Sequence, residues 1–134
     1  MTADGHRFTQ IRELESLNPI TEQIIGCAYA VSNTLGIGFL EKVYKTALAN
    51  ELRKTGMKVQ QQLPIQVWYD GIVVGDYVAD LFVEDCVLLE LKAVEALDNN
   101  HRAQCINYLK ATGLYLCLLL NFGGKRVEIK RFVV

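Results

Sequence analysis

Histidine is scarce in this chain of 134 residues, and cysteine is never clustered. The only histidines are His6 and His101, and the four cysteines, at 27, 86, 105 and 117, form no CxxC pair. A structural zinc site therefore has no ligand set to use. Widely spaced cysteines in apolar surroundings read as buried, reduced thiols, which is the usage of a cytoplasmic protein. An excess of one charge is also missing. Fourteen basic and fifteen acidic residues leave a net charge of −1, so the chain as a whole has no attraction for nucleic acid, and such a partner would need a local site. Nor is there a long apolar run. The longest uncharged stretch, QIIGCAYAVSNTLGIGFL at 23–40, is interrupted by Gln, Ser, Asn, Thr and glycines, so it reads as a soluble helix and a turn, not a membrane span. No basic segment followed by an apolar one opens the chain, and no signal peptide is expected.

What is present suits one globular unit. The length is enough to bury a core, and the sequence divides into a frayed or short-helical segment, 1–16, and a single domain, 17–134. Asn18-Pro19 resembles an N-cap followed by proline at the first helical position. Leu17, Ile20, Ile24, Ala28, Val31 and Leu35 recur at helical spacing up to Gly36. A second helix is expected after Gly38, with Leu40, Val43, Tyr44, Ala47, Leu48 and Leu52 on one stripe and a stop at Gly56. The period then changes to that of strands. Ile65, Val67 and Tyr69 alternate, Asp70-Gly71 signals a tight turn, and a second strand runs over about 72–83 with an irregularity near Gly75. A third strand covers 86–93. A third helix spans about 99–112, capped by Asp98 or Asn99, with Ala103, Ile106 and Leu109 inward. LYLCLLLNF (114–122) is apolar on both faces, as a strand covered on each side must be, and VEIKRFVV ends the chain as an edge strand. This order predicts an α/β fold: a mixed five-stranded sheet with helices on both faces and a parallel pair formed by the third and fourth strands.

The residues that do not fit a purely structural hairpin lie in VADLFVEDCVLLELKAVE, 78–95. Glu90 and Lys92 are two apart and share a strand face, while Asp80 shares its face with Val78 and Phe82. A two-residue turn at Glu84-Asp85 would set Asp80 opposite Leu89. A three-residue loop or a bulge would bring Asp80 to Glu90. Two carboxylates held together in a partly dry place need a cation, or one must keep its proton. Oxygen ligands with open positions suit Mg²⁺ or Mn²⁺, and a neighbouring lysine can stabilise charge developing on a phosphate. The plain alternative is a surface ion pair, Glu90–Lys92, beside a solvated acid.

Four segments, taken in order, bear on that choice. GFLEKVY (38–44) matches a G-x-x-E-x-x-Y signature, and with YVADLFVED, VLLELKAVE and RAQCINYLKATG the chain resembles the GxxExxY family of the PD-(D/E)xK nuclease superfamily from about residue 18 to 132. The resemblance implies a restriction-endonuclease-like, three-layer α/β/α fold of αβββαββ order preceded by an extra N-terminal helix. It implies that Asp80, Glu90 and the Leu91 backbone carbonyl hold Mg²⁺ or Mn²⁺, and that Lys92 is the catalytic lysine. Glu41 would be an accessory acid and Gln104 would position the lysine or the substrate. Ala79 stands where the superfamily's name has proline.

The functional expectation is a metal-dependent phosphodiesterase acting on DNA or RNA. The alternative is a non-catalytic nucleic-acid-binding or protein-interaction module that keeps the fold. Glu41 could instead pair with Lys45 one turn on, and Tyr44 reads as a core aromatic with its hydroxyl bonded. Tyr108 shares a helix face with Gln104 and His101 and is a weaker candidate for substrate contact. Lys125, Arg126, Lys130 and Arg131 could touch phosphates or simply keep an edge strand soluble. The small domain and its edge strand point to a possible homodimer.

Overall fold

The computed structural model describes residues 14–134, so the expectation for residues 1–13 lies outside the described residues. Helix α1 covers Asn18–Leu35 and buries Ile24, Cys27, Ala28 and Val31. Asn18 is not its N-cap. The chain enters from helical residues 14–16 through Leu17 at φ −82° and ψ −12°, whereas a capping side chain needs extended backbone to reach the first amides. The Asn18 carbonyl instead accepts from Thr21 Oγ1 at 3.0 Å. Helix α2 covers Glu41–Lys54 and buries Tyr44, Leu48, Ala49 and Leu52. Leu40 was expected on that stripe, but it lies in extended backbone before the helix and is 75% exposed.

Strands β1 (Val59–Tyr69), β2 (Ile72–Val83), β3 (Val87–Lys92), β4 (Leu116–Asn121) and β5 (Glu128–Val133) form one sheet in the order β1-β2-β3-β4-β5. Helix α3, Asn99–Thr112, connects β3 to β4, and those two strands are parallel while every other pair is antiparallel. The fold is therefore α/β with a mixed five-stranded sheet, as the sequence predicts. Strand β1 begins earlier than its alternating pattern shows and contains Pro64, which an edge strand tolerates because one side of it needs no partner. Asp98 caps α3 reciprocally with His101, so His101 has a structural task. The buried residues of α3 are Cys105, Tyr108 and Leu109, and Ala103 points to solvent instead of inward. Among the described residues no helix is long and apolar enough to cross a membrane.

Two apolar clusters sit on the two faces of the sheet. Leu81, Val83, Leu89, Leu91, Leu118 and Leu120 pack with residues of α1 and α2. Ile65, Ala79, Leu88, Cys117 and Leu119 pack with Cys105, Tyr108 and Leu109 of α3. Alternation should put Ala79 and Leu81 on one face, yet they belong to opposite clusters. The break falls at Asp80. Across the ladder, β1 pairs Gln61 with Leu81 and Leu63 with Ala79, passing over Gln62, whose φ is 60°. A residue held in that region turns the strand, so both strands swing their faces at the level of Asp80.

Candidate active site at a strand fork

The loop joining β2 to β3 has three residues, because Val83 pairs with Val87, Phe82 with Leu88 and Leu81 with Leu89. Glu84 and Asp85 take the strain of the turn at φ 53° and 55°. One step further along this register Asp80 faces Glu90, the arrangement that the longer loop permits. The backbone ladder has ended there, and side chains replace it. The Asp80 amide donates to Glu90 Oε1 at 3.0 Å, and the Leu91 amide donates to Asp80 Oδ2 at 2.8 Å. Each carboxylate thus satisfies a backbone N–H that the diverging strands leave unpaired.

Both acids are buried, Asp80 at 8% and Glu90 at 3% exposure. Burial, and then the charge of Asp80, push the Glu90 carboxyl from its ordinary 4.5 up to about 8; the Asp80 amide and the charge of Lys92 pull the other way, and Glu41 adds to the rise. Lys92 and Glu41 are therefore near enough to act on Glu90, one from the same strand and one from the first position of α2. Glu41 is aimed there by its own signature. Gly38 takes φ 104° at the entry to the helix. The buried Tyr44 hydroxyl donates to the Gly36 carbonyl at 2.7 Å and accepts from the Phe39 amide at 3.3 Å, while its ring stacks on Phe122 at 4.9 Å. Tyr44 is a fastener for the turn that presents Glu41.

Gln104 and Tyr108 form a pair of their own. Gln104 Nε2 donates to the Tyr108 hydroxyl at 2.9 Å, and that hydroxyl donates to the Val78 carbonyl at 3.4 Å. Burial, then the charges of Glu90 and Asp80, raise the Tyr108 phenol to about 12. Gln104 therefore braces Tyr108 beside the carboxylates, and neither makes an ion pair or hydrogen bond with Lys92.

Two contributors were not foreseen. Helical spacing offers Lys45 as an alternative partner for Glu41, but its Nζ lies 3.1 Å from Asp80 Oδ1, with both side chains largely buried. The signal was present: a residue four after Glu41 on one helix must face the same way. Asn121 is the other. It accepts from the Val94 and Gly123 amides and donates to the Val94 carbonyl, and Phe122 donates to the Lys92 carbonyl at 2.8 Å. These bonds fix the chain where it leaves Lys92. Gly123 is required here, since a Cβ would run into the Val94 carbonyl oxygen.

Among the described residues no three His, Cys, Asp or Glu side chains converge on one point. The donor set is two buried carboxylates, which suits a hard divalent cation that completes its shell with backbone or water oxygens. A cation is also what the site calls for electrostatically, since one acid holds its proton up to about 8 and the other has drawn in an ammonium. The residues fit such an ion. Leu91 meets Asp80 through its amide; its carbonyl is the third oxygen that the resemblance names.

A family model described as the PD-(D/E)XK nuclease superfamily matches residues 18–132. No curated protein matches the chain by sequence. Among solved structures, the crystal structure of an alkaline exonuclease (LHK-Exo) from Laribacter hongkongensis superposes with a TM-score of 0.50 at 16% identity, over 69% of this chain and 55% of that one. At that identity the likeness is one of fold, and the chain spans little more than half the length of that exonuclease.

Proposed function

Because the chain belongs to the PD-(D/E)XK nuclease superfamily, we propose that it is a divalent-metal-dependent phosphodiesterase that hydrolyses DNA or RNA at the fork between β2 and β3. The observation that carries this reading is the reciprocal bonding of Asp80 and Glu90, with Lys92 following on the same strand. We assign the chain further to the GxxExxY group on Gly38, Glu41 and Tyr44. Asp80, Glu90 and the Leu91 carbonyl are the ligands in this reading, for Mg²⁺ or Mn²⁺. Such an ion would supply Lewis-acid polarisation of a phosphoryl oxygen and a more acidic water.

The chain's own residues have separate tasks. Asp80 and Glu90 are held at fixed positions by backbone amides, so little reorganisation accompanies charge binding. Lys92 sets its ammonium against negative charge developing on the phosphate. Glu41 orients a water on the α2 side, and Gln104 with Tyr108 walls the α3 side. Nucleic acid is the partner that this chemistry requires.

The Lys45–Asp80 ion pair supports a second reading, in which the ammonium permanently takes the cation's place and the domain binds nucleic acid or protein without cutting. Cleavage of a panel of single- and double-stranded DNA and RNA with Mn²⁺ separates the two. Lys92→Ala is expected to keep Mn²⁺-induced thermal stabilisation while losing at least ~100-fold in turnover, the scale of one transition-state donor. Asp80→Ala is expected to lose both. Cleavage by Lys92→Ala at the wild-type rate would end the nuclease reading.

A further inference from the structure

Beside the carboxylate pair lies a groove of which the proposed chemistry uses only the Gln104–Tyr108 edge. It opens between the far half of the β1–β2 hairpin and α3 and encloses about 720 Å³, within the range of pockets that take small organic ligands. Its hairpin wall is aromatic. Trp68 is 60% and Tyr77 50% exposed, and both line the groove. Val67 and Trp68 line it together, although neighbours on a strand should point apart; the register shift between them re-aims Trp68. Gly75 leaves room for the Tyr77 ring, since a Cβ there would stand 3.1 Å from that ring. The ring in turn lies 6.0 Å from that of Tyr108 at 54°.

The opposite wall, on α3, offers the side-chain amides of Asn100, Gln104 and Asn107, with Lys110 as the one charged lining residue among the described residues. Among the described residues no carboxylate lines the groove. Two exposed π faces opposite a row of neutral donors and acceptors match a planar, neutral, hydrogen-bonding ring, which is a nucleobase out of its stack. A duplex would present paired bases and two phosphate ridges, and one lysine is a poor match for those. The groove is also continuous with the candidate site. Tyr108 and Gln104 line it, Tyr108 bonds the carbonyl of Val78, two residues before Asp80, and its phenol feels the charges of Glu90 and Asp80.

We infer that this groove binds unstacked bases of single-stranded nucleic acid, so that a strand whose bases lie against Trp68 and Tyr77 delivers its backbone to Asp80 and Glu90. The substrate class rests on the nuclease reading; the binding does not. Trp68 is the only tryptophan of the chain, so its fluorescence reports on the groove alone. In EDTA, where no hydrolysis occurs, oligodeoxythymidylate should quench Trp68, and the same strand annealed to oligodeoxyadenylate should not. Tyr77→Ala should weaken the single-strand midpoint by ~10-fold or more, and Trp68→Leu should do the same by anisotropy of a labelled strand. Both side chains are exposed, so melting temperatures should hold and separate lost binding from lost folding.

Equal quenching by the duplex, or none by the single strand, overturns the inference. So does a concentration-dependent change in Trp68 emission without oligonucleotide, which would mean that a second copy fills the groove. Cleavage by the wild type in Mn²⁺ without quenching in EDTA refutes the groove and leaves the nuclease reading intact. Quenching by the single strand with no cleavage under Mn²⁺ supports the groove and refutes the nuclease reading.

Discussion

Glu90→Gln should make the metal-free protein more stable, by an amount that grows as pH rises from about 4.5 to about 8. The Glu90 carboxyl is raised from 4.5 to about 8, first by burial and then by Asp80. Its folded value lies above its unfolded one, so the folded state binds more protons and stability falls as pH rises. That loss begins near pH 4.5 and is complete a little above pH 8. A displacement of this size corresponds to about 4–5 kcal/mol once the group is ionised in the fold. Glutamine keeps a neutral oxygen for the Asp80 amide, now 3.0 Å from Glu90 Oε1, as the protonated acid does, so it stands in for the proton-bound form at every pH. The expected gain near pH 9 is therefore about 4 kcal/mol, or roughly 15 °C in melting temperature for a domain of this size. Near pH 5 both side chains are neutral and the two proteins should melt within about 2 °C of each other. Thermal melts in EDTA across that range test the argument. Two curves running parallel from acid to alkaline pH would show that Glu90 is not a buried, frustrated acid.

Further outcomes follow from the same geometry. Binding a divalent ion should expel the Glu90 proton, so apparent Mn²⁺ affinity measured by calorimetry should fall about tenfold per pH unit below pH 8; a pH-independent affinity would contradict this. Lys45→Met should tighten Mn²⁺ binding by ~10-fold or more in a thermal-shift titration, because an ammonium 3.1 Å from Asp80 Oδ1 opposes any arriving cation; an unchanged or weaker midpoint would mean that the ion does not displace it. Gly123→Ala should destabilise the fold by ~3 kcal/mol or more in urea melts, as its Cβ meets the Val94 backbone. Tyr44→Phe should lose about 1–2 kcal/mol through its bonds to Gly36 and Phe39, with little change if those bonds are weak.

Much of this fold could be read from the sequence where one physical signal dominates. The apolar run Leu116–Leu120 of β4, the parallel β3–β4 pair implied by the intervening helix, and the Asp70-Gly71 turn all carry strong local chemistry. The hairpin register was reducible to a choice of loop length, and the three-residue loop settles it. What escaped depends on partners distant in the chain. The first half of β1, VQQQLP, has no alternation to reveal it and is a strand because β2 pairs with it. Asn18 carries a capping side chain but lies inside a helix whose backbone is already formed. Ala103 fits an inward helical spacing, yet the larger Cys105, Tyr108 and Leu109 set the rotation of α3. Lys45 had two acids in reach, and only the tertiary fold brings the second one close.

The fork itself explains why the acids are where they are. An antiparallel ladder that simply continued past Leu81↔Leu89 would satisfy its amides with carbonyls and leave no place for side-chain carboxylates. The turn at Gln62 swings β1 and β2 together at the level of Asp80, and β3 stays with β4. The amides of Asp80 and Leu91 then lack backbone acceptors, and leaving two buried N–H groups unpaired would cost about 1–3 kcal/mol each. Only side chains at those same positions can reach them, and acceptor-only carboxylates suit donors best. Apolar residues at 80 and 90 would therefore expose the divergence as a defect, whereas Asp80 and Glu90 turn it into two fixed, under-neutralised oxygens. Their burial, and then the charge they leave uncompensated, hold the Glu90 proton, and Asp80 takes an ion pair with Lys45. Structure and chemistry are linked here by one condition, that the strands diverge. A variant that restored a regular strand at Gln62, such as Gln62→Val, should close the fork and weaken Mn²⁺ binding although no ligand has changed. Retained Mn²⁺ affinity in that variant, with an unaltered melting temperature, would show that the carboxylates hold their positions without the turn.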